Sequence, residues 1–455
     1  MSDLHELCYF KVRPINEESY LKPLKEYLKA GIPATYTLEE AENYERGIET
    51  DELPSTTTPL HLICESIPTD DINEEEETTI LKMIDELFLN GAGWCLTNAK
   101  DETPGCVLAR RGLNGSKYWE SIVDAGVRAE MLLRKLNDPN VEFLDDDEME
   151  VYENNLPEEY KQDPEQEEIP ELVDDSKTTE EKFEEDKEAE SEENVEEHTK
   201  ENENTEKTFE QKVNEMKEEL INDPSNTTST YLKTKLEYKD GALVTEERGD
   251  GVMMQWEDKL MQAASDSLFK SIDDPKDVNI VNIGFGMGII DNIINSKNPT
   301  KHYICEAHPD VLKKMEEDGW FEKPNVVVLK GKWQDTLPDL LNQGVFFDGI
   351  YYDTYSEHYE DMLELFDLIV GLLKPTGIFS FFNGLGADRL VVYEVYKKIV
   401  DIDLSNYGLE ISFTEIKAPE TTLEENDGEE NSVWKDIKRA YWRCPVYYHP
   451  EARFA

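Results

Sequence analysis

The stretch Val278-Asn-Ile-Val-Asn-Ile-Gly-Phe-Gly-Met-Gly288 decides the fold class of this 455-residue chain. Its first half is apolar and β-branched, as in a buried strand, and its second half has glycines at 284, 286 and 288. Glycine permits a tight turn and lets a ligand approach the backbone without meeting a Cβ. Ile289, Ile290 and Asp291 then open a helix. The stretch therefore predicts a strand, a glycine turn and a helix that bind a nucleoside cofactor, without saying which one.

An acidic residue follows the glycine turn at the distance that such a cofactor requires. Glu306 ends the next apolar run, which begins at His302, about 20 residues further along the chain. An acid at this position accepts hydrogen bonds from the ribose hydroxyls of a bound nucleoside. The pair of motifs strengthens the nucleoside prediction.

Further apolar runs continue the alternation of strands and helices. They lie at 302–306, 326–329, 347–352 and 377–382, with helical stretches between them such as 360–373, and 411–416 with 441–448 predict a terminal hairpin. Strands that alternate with helices form right-handed βαβ units and a parallel sheet covered on both faces. We therefore predict an α/β, Rossmann-like sheet of the class I methyltransferase type for 208–455, with a helical entry through 252–257 and an amphipathic helix at 208–222.

The N-terminal 144 residues predict an all-α, ankyrin-like repeat domain. Thr58-Pro-Leu-His61 matches the ankyrin signature T-P-L-H, and a weaker copy begins at Thr103-Pro104. The two Thr-Pro pairs lie 45 residues apart, and 33 without an acidic insert at 68–79, which is the ankyrin period. Ordinary helical hairpins with a Thr-Pro turn are the alternative. An ankyrin stack would indicate recognition of a partner protein.

Charge is distributed very unevenly along the chain. The net charge is −57, from 103 acids and 46 lysines and arginines, and 145–206 alone holds 29 acids against five lysines. Such a segment cannot bury enough apolar surface to fold alone, so 145–207 is predicted to be a disordered acidic linker. It acts either as a spacer or to concentrate a basic partner. The charge disfavours nucleic acid as a direct partner, because phosphate contacts require lysine and arginine, and it favours a basic protein.

Cysteine spacing and hydropathy bear on the cellular location of the protein and on metal, disulfide and membrane sites. The six cysteines form no C-x-x-C pair, which argues against a zinc site and a disulfide framework. Neither a signal-peptide core nor an apolar run of membrane-spanning length is present. We expect no bound metal, no membrane partner, a monomer, and a cytoplasmic and nuclear location.

Residues just after each strand are the candidate site, because ligands bind outside the carboxyl ends of the strands in an α/β sheet. The segment Phe285 to Ile290 follows the first strand, Glu306 to His308 the second, and Trp333 with Gln334 the third. An indole there can lie against an adenine ring. Glycine turn, acid and aromatic after three successive strands favour S-adenosyl-L-methionine as the cofactor.

Two further acids are candidates for binding the methyl acceptor. Asp353 follows the fourth strand, where it would face the sulfonium, although it is also placed to cap the next helix. Glu257 follows Trp256 in the helical entry, where a solvated helix acid is the alternative.

Four motifs in this order resemble guanidinoacetate methyltransferase and, still more closely, its fungal relatives that join ankyrin-like repeats to the same domain. The motifs are Val252-Met253-x-x-Trp256-Glu257, Gly284-Phe-Gly-Met-Gly288, Leu329-Lys-Gly-x-Trp333-x-Asp335 and Tyr352-Asp-Thr-Tyr355. The fungal relatives act as arginine N-delta (type IV) protein methyltransferases, so the resemblance implies the same activity here, on a protein of the large ribosomal subunit. His308 and Gly288 depart from the guanidinoacetate enzyme, which has asparagine and alanine there.

The resemblance also implies roles for individual residues. It assigns the guanidinium to Glu257 and Asp353, and the cofactor to a set that includes Asp353 again, with Tyr231, Met253, Phe285, Gly286, Met287, Gly288, Ile289, Ile290, Glu306, Ala307, His308, Trp333 and Gln334. Paired carboxylates suit a planar guanidinium, because they accept its N–H groups in bidentate fashion. Two alternatives stay open: a small-molecule guanidino methyltransferase, and a non-catalytic acidic ankyrin scaffold.

Overall fold

A computed structural model describes residues 3–48, 57–70, 72–137, 223–272, 274–423 and 431–455. The predicted linker at 145–207, the predicted helix at 208–222 and both predicted domain boundaries lie outside these ranges. In the parts of the chain so described, no helix is long and apolar enough to cross a membrane.

The N-terminal region is helical, as predicted. A π-helical turn at Glu17–Leu21 precedes the second helix. The helices are α1 (Asp3–Leu7), α2 (Lys22–Lys29), α3 (Leu38–Arg46), α4 (Pro59–Ser66), α5 (Glu74–Leu89), α6 (Pro104–Arg110) and α7 (Lys117–Asn137).

Both Thr-Pro pairs begin helices. Thr58 and Thr103 are the N-caps of α4 and α6, and the side chain of each accepts a backbone hydrogen bond from the first helical turn. His61 connects the two motifs, because its Nε2 lies 3.0 Å from the carbonyl oxygen of Glu102. Part of the supposed acidic insert belongs to α5, which starts at Glu74, so removing 68–79 to reach a 33-residue period is not justified. The ankyrin-like classification stays a prediction.

A small antiparallel sheet precedes the large one. It consists of β1 (Leu236–Lys239), β2 (Ala242–Thr245) and β3 (Gly251–Met254), in that order, after a short helix α8 (Thr228–Tyr231). The predicted helical entry through 252–257 is therefore wrong in its first half, because Val252 to Met254 are a strand. A 3-10 helix at Gln255–Glu257 follows, and then α9 (Asp258–Leu268).

The large sheet has seven strands and alternates with helices along the chain. Its strands are β4 (Asn279–Ile283), β5 (Lys301–Glu306), β6 (Val326–Lys330), β7 (Phe347–Tyr352), β8 (Leu373–Phe381), β9 (Leu409–Lys417) and β10 (Val446–Phe454). The intervening helices are α10 (Ile289–Ser296), α11 (Pro309–Glu317), α12 (Trp333–Asn342), α13 (Tyr359–Leu372) and α14 (Leu390–Asn406). Short 3-10 helices lie at Trp320–Glu322 and Glu420–Thr422.

The strand order is β6-β5-β4-β7-β8-β10-β9. β4 pairs in parallel with β5 and β7, whereas β10 is antiparallel to both β8 and β9. A reversal of strand order on either side of the first strand creates a crevice at the carboxyl ends, where ligands bind. This mostly parallel order confirms the predicted Rossmann-like fold of the methyltransferase type.

The N-terminal helices pack directly on α14, and their apolar side chains share one hydrophobic core with the large sheet. Gly105 of α6 lies so close to Val391 that a Cβ would meet Cγ2 of that valine at 2.5 Å. This contact explains why the second Thr-Pro motif has glycine where the first has leucine. Polar contacts reinforce the interface: Trp119 Nε1 donates to Glu394 at 2.8 Å, and Arg134 donates to Asp403 at 2.8 Å.

Candidate active site

The glycine turn brings the ends of β4 and β7 together. The backbone N–H of Asp353 donates to the carbonyl of Ile283 at 2.9 Å, so the two strands stay paired up to the turn. Gly284 has φ +96°, and a Cβ there would lie 1.8 Å from the carbonyl oxygen of Asp353. A side chain is therefore excluded by the adjacent strand as well as by any ligand. The turn fixes the position of Asp353.

Glu306, at the end of β5, is bound to the backbone of the turn. Its Oε2 accepts from the N–H of Phe285 at 2.9 Å, and its Oε1 accepts from the N–H of His308 at 2.6 Å. Burial raises the pKa of Glu306, and backbone N–H groups oppose that rise. Each carboxylate oxygen has a second lone pair, so Glu306 retains the capacity to accept hydrogen bonds from a ligand.

A cavity of about 640 Å³, called the turn cavity below, opens beside these residues. Its wall consists of apolar side chains, an indole and carboxylates. They come from every strand end at which the sequence predicted a site. Among its lining residues are Tyr231, Met253, Gly284, Gly286, Glu306, Ala307, Trp333 and Asp353. The mixture of apolar and acidic groups is typical of a small-molecule site.

Seven predicted cofactor residues do not line the turn cavity. They are Phe285, Met287, Gly288, Ile289, Ile290, His308 and Gln334. Phe285 and Ile290 are buried in the hydrophobic core, and the backbone N–H of Met287 donates to Met253 Sδ at 3.2 Å. Phe285, Met287 and Gly288 form part of the turn itself, and cofactor binding by these seven residues stays a prediction.

His308 joins the end of β5 to the segment after α8. Its Nε2 donates to the carbonyls of Tyr231 and Thr234 at 3.1 and 3.0 Å, and its Nδ1 accepts from the N–H of Asp310 at 3.2 Å. Burial lowers the pKa of the imidazole, in keeping with a neutral ring that donates at one nitrogen and accepts at the other. The ring of Tyr231 packs against it at 4.8 Å, so His308 holds Tyr231 at the cavity wall.

Glu257 and Asp353 line one further cavity, of about 820 Å³, called the acid cavity below. Asp353 lines the turn cavity as well, so it is common to both. Glu257 is 2% exposed and ends the 3-10 helix, where its Oε1 accepts from the N–H of Met254 at 2.9 Å. The alternative of a solvated helix acid is therefore wrong. So is the capping role for Asp353, because α13 begins at Tyr359 with His358 as its N-cap.

Among the described residues no ion pair reaches Glu257 or Asp353, and Glu357 adds a third acid to the acid cavity. Burial, and then the charge of Asp353, raise the pKa of Glu257 to about 8. Burial, and then the charge of Asp291, raise the pKa of Asp353 to about 7. Asp353 Oδ2 is buried and has no hydrogen-bond partner among the described residues. Buried carboxylates in this state favour a bound cation, because a positive charge between them lowers the cost of ionising both.

Two residues that the sequence did not single out complete the site. Tyr441 donates its hydroxyl to Glu257 Oε1 and fixes that carboxylate. Glu357 lines both cavities and accepts from the indole of Trp333 at 3.0 Å, from the hydroxyl of Thr354 at 2.6 Å and from the hydroxyl of Tyr352. The only available signal was position: Glu357 follows Asp353 by four residues, and Tyr441 lies in a segment read as a hairpin.

The described residues fit a nucleoside-type methyl donor in the turn cavity. Glu306 has lone pairs for ribose hydroxyls, Trp333 presents an indole, and the backbone of Gly284 and Gly286 forms an open wall. Trp333 is held by Glu357 through its indole N–H, which leaves its ring surface for an adenine.

The chain is similar to known proteins of one enzyme family. Residues 220–402 match the family of guanidinoacetate N-methyltransferases. Proteins named protein arginine N-methyltransferase 2 match over the full chain: 56% identical in Debaryomyces hansenii, covering 100% of this chain and 99% of that protein, 48% in Kluyveromyces lactis and 44% in Saccharomyces cerevisiae, each covering 100% of both chains. Membership of a methyltransferase family implies S-adenosylmethionine as the methyl donor. The chain belongs to the fungal protein arginine N-methyltransferase 2 family and is an arginine methyltransferase.

Proposed function

We propose that this enzyme transfers a methyl group from S-adenosylmethionine to the δ nitrogen of an arginine in a basic protein, a protein of the large ribosomal subunit. One observation carries the proposal: Glu257 and Asp353 line one cavity, and Asp353 also lines the turn cavity. An acceptor held by these acids would therefore lie next to the methyl donor.

The electrostatics of the acid cavity support a guanidinium as the acceptor. Two buried carboxylates with raised pKa values are stabilised in their ionised forms by a cation between them. A guanidinium is planar and always charged, and its N–H groups match carboxylate oxygens in pairs. The free Oδ2 of Asp353 offers one such acceptor.

The chain's own residues divide the chemistry between them. Tyr441 and the backbone of Met254 hold Glu257 in place, so Glu257 fixes the plane of the guanidinium. Asp353 accepts a proton from the attacking nitrogen and leaves its lone pair free for the transfer. The bound donor supplies an electrophilic methyl group on a sulfonium. Positioning of the two reactants contributes most of the rate.

The δ position follows from the likeness to guanidinoacetate N-methyltransferases. In guanidinoacetate the methylated nitrogen is the one that carries the alkyl substituent. The δ nitrogen of arginine is its equivalent, so one arrangement of acids and donor serves both compounds. The likeness supports this product, and the product itself is the quantity to measure.

The test uses large-subunit ribosomal proteins extracted from cells that lack this enzyme. Incubation with the full-length protein and labelled donor should add a single methyl group, and acid hydrolysis should release N5-methylarginine. Methylation confined to terminal guanidino nitrogens would refute the δ assignment. No transfer to any ribosomal protein would refute the substrate class.

A small-molecule guanidino methyltransferase is the second candidate, favoured by the match of 220–402 to that family. Guanidinoacetate in the same assay separates the two candidates, because turnover of guanidinoacetate without transfer to protein would establish the second one. A non-catalytic scaffold would not need Glu257 and Asp353 in one cavity, and calorimetry with S-adenosylhomocysteine tests it directly.

A further inference from the structure

A third cavity lies between the N-terminal helices and the catalytic domain. This side groove spans about 2430 Å³ of space that is open to solvent. One wall consists of the loop residues Lys100 to Glu102 and of Cys106, Ala109 and Arg110 of α6, and the opposite wall consists of the loop before α14 and of Arg439 to Arg443. Its volume is far larger than that of the acid cavity, which alone holds enough space for a small guanidino compound.

The side groove continues into the acid cavity. Five residues line both, namely Tyr355, Ser356, Glu357, Gly384 and Tyr441. Tyr441 is the residue that holds Glu257. A side chain that reaches the acid cavity from this direction would therefore leave its backbone in the groove.

Ser356 marks the junction with an unsatisfied polar group. It is 7% exposed, and its hydroxyl is buried without a hydrogen-bond partner in the part of the chain that the structure describes. Its φ is +66°, in the left-handed region that non-glycine residues seldom adopt. The Thr228 hydroxyl, which donates to the Ser356 carbonyl at 2.9 Å, holds this backbone in place. Strained residues with unused hydrogen-bonding capacity are typical of ligand contacts.

The groove lining holds five acids and five cations among the described residues: Asp101, Glu102, Asp250, Glu357 and Asp388 against Lys100, Arg110, Arg389, Arg439 and Arg443. Arg389 lies across the groove entrance and pairs with Asp101 of the N-terminal wall at 2.9 Å. Arg110 of the same wall is paired with Glu65 and Glu102. Asp388 is 57% exposed, and Arg389 Nε is 3.7 Å away from its carboxylate. Arg389 and Arg110 are thus paired, and Asp388 and Asp101, 77% exposed, still present carboxylate oxygens to solvent, while the cations Lys100 and Arg439 are exposed as well.

Resting on the proposed function, we propose that the side groove binds an extended, basic segment of the substrate protein on both sides of the target arginine. The arginine side chain enters the acid cavity past Ser356, whose hydroxyl hydrogen-bonds to the substrate backbone. The groove needs both walls, so the N-terminal helices belong to the substrate site. This explains why a guanidino methyltransferase fold carries a fixed helical region packed against α14.

The test exploits opposite charge changes on the two walls. Asp388→Arg should raise the KM for ribosomal protein substrate roughly tenfold, since a cation repels a basic segment, and Lys100→Glu, an exposed residue on the facing wall, should lower it. Both effects should shrink at high salt, because exposed charges are screened. Asp401→Arg and Lys29→Glu are matched controls at exposed positions outside the groove, and they should leave KM unchanged.

Ser356→Gly tests the junction without adding strain, because glycine adopts a positive φ freely. It should raise KM severalfold, with kcat at saturating substrate and the affinity for S-adenosylhomocysteine unchanged. The proposal is overturned if Asp388→Arg and Lys100→Glu leave KM unchanged or move it in the same direction. Failure of the proposed function gives a different result, because the wild-type enzyme would then methylate guanidinoacetate and no protein. In that case the groove assignment would fail together with the proposed function.

Discussion

The turn cavity and the acid cavity share Asp353, but the carboxylates that line them differ in how far their oxygens are hydrogen-bonded. Glu306 in the turn cavity uses both oxygens to bind backbone N–H groups of two separate segments. Asp353 leaves Oδ2 buried and unbonded, and Glu257 is satisfied on Oε1 alone by Met254 and Tyr441. The carboxylate of Glu306 therefore stabilises the fold, whereas those of Asp353 and Glu257 have oxygens available to bind a cation.

This difference separates recognition of the donor from recognition of the acceptor. A methyl donor meets a site whose hydrogen bonds are already made, so little reorganisation is needed when it binds. The acceptor meets two under-neutralised acids and contributes the missing charge itself. Selectivity for a guanidinium therefore resides in the acid cavity, and variants of each cavity should affect different measurements.

Asp353→Asn should produce the largest effect. The amide cannot accept the proton from the attacking nitrogen, so kcat should fall roughly a thousandfold, whereas the affinity for S-adenosylhomocysteine should change little. Single-turnover transfer of labelled methyl and calorimetry measure the two quantities. Asp335→Asn, at an exposed acid that lines neither cavity, is the matched control. Near-normal turnover by Asp353→Asn would remove the proton-acceptor role.

Glu306→Gln should act on the donor alone. A glutamine has one acceptor oxygen, so either the Phe285 or the His308 N–H loses its partner, and the affinity for S-adenosylhomocysteine should fall about 10-fold to 100-fold. The kcat at saturating donor should fall much less. Glu316→Gln, an exposed acid on α11, serves as the control. A large loss of kcat with unchanged donor affinity would mean that the two cavities do not divide the work as described.

The sequence predicted the parts of the site that depend on local pattern. The glycine turn, Glu306 and Asp353 follow strands whose apolar runs are continuous, and in a parallel sheet those carboxyl ends necessarily meet at one edge. Glycine at 284 was attributed to the approach of a ligand. The structure adds a nearer reason, since the carbonyl of Asp353 occupies the space of its Cβ.

Contacts between distant segments were not predictable from the same pattern. Met253 and Met254 read as helix with Trp256 and Glu257, yet pairing with β2 makes them a strand, a case in which tertiary context overrides local propensity. The contact of Tyr441 with Glu257 joins residues 184 positions apart. The packing of α6 on α14 was not predictable either. A pattern of apolar positions shows which residues are buried, but it does not show which element they pack against.

The pH dependence of kcat/KM sharpens the contrast between the cavities. The pKa of Asp353 is raised to about 7 and that of Glu257 to about 8, and only the ionised acids bind a guanidinium, which stays charged throughout. Activity at low substrate should therefore rise with pH, roughly a hundredfold for each unit below pH 7, where both acids hold protons, and roughly tenfold between pH 7 and pH 8, and it should level off above about pH 8. Donor affinity should stay nearly constant over that range. A flat profile would mean that both acids are already ionised at pH 6.

Glu257→Gln should give the smallest of these effects. It acts on the stability of the ligand-free protein, and it is a gain, whereas the other variants lose activity or affinity. An acid whose pKa is higher in the folded protein than in the unfolded chain holds its proton better when folded, so its contribution to stability falls as pH rises from about 4.5 to about 8. Glutamine carries no charge, and its oxygen can still accept from Met254 and Tyr441. The ligand-free variant should therefore match the wild type near pH 5 and melt roughly 2–4 °C higher at pH 8.5, by differential scanning calorimetry.

The same variant should lose guanidinium binding, and Glu237→Gln, at an exposed position of β1, should change neither property. Equal melting temperatures at both pH values would show that Glu257 ionises without cost, and the reason for a cation in the acid cavity would disappear. A gain at pH 8.5 joined to a loss of activity would instead show that the ligand-free enzyme bears the cost of an unneutralised acid, which the substrate's guanidinium relieves on binding.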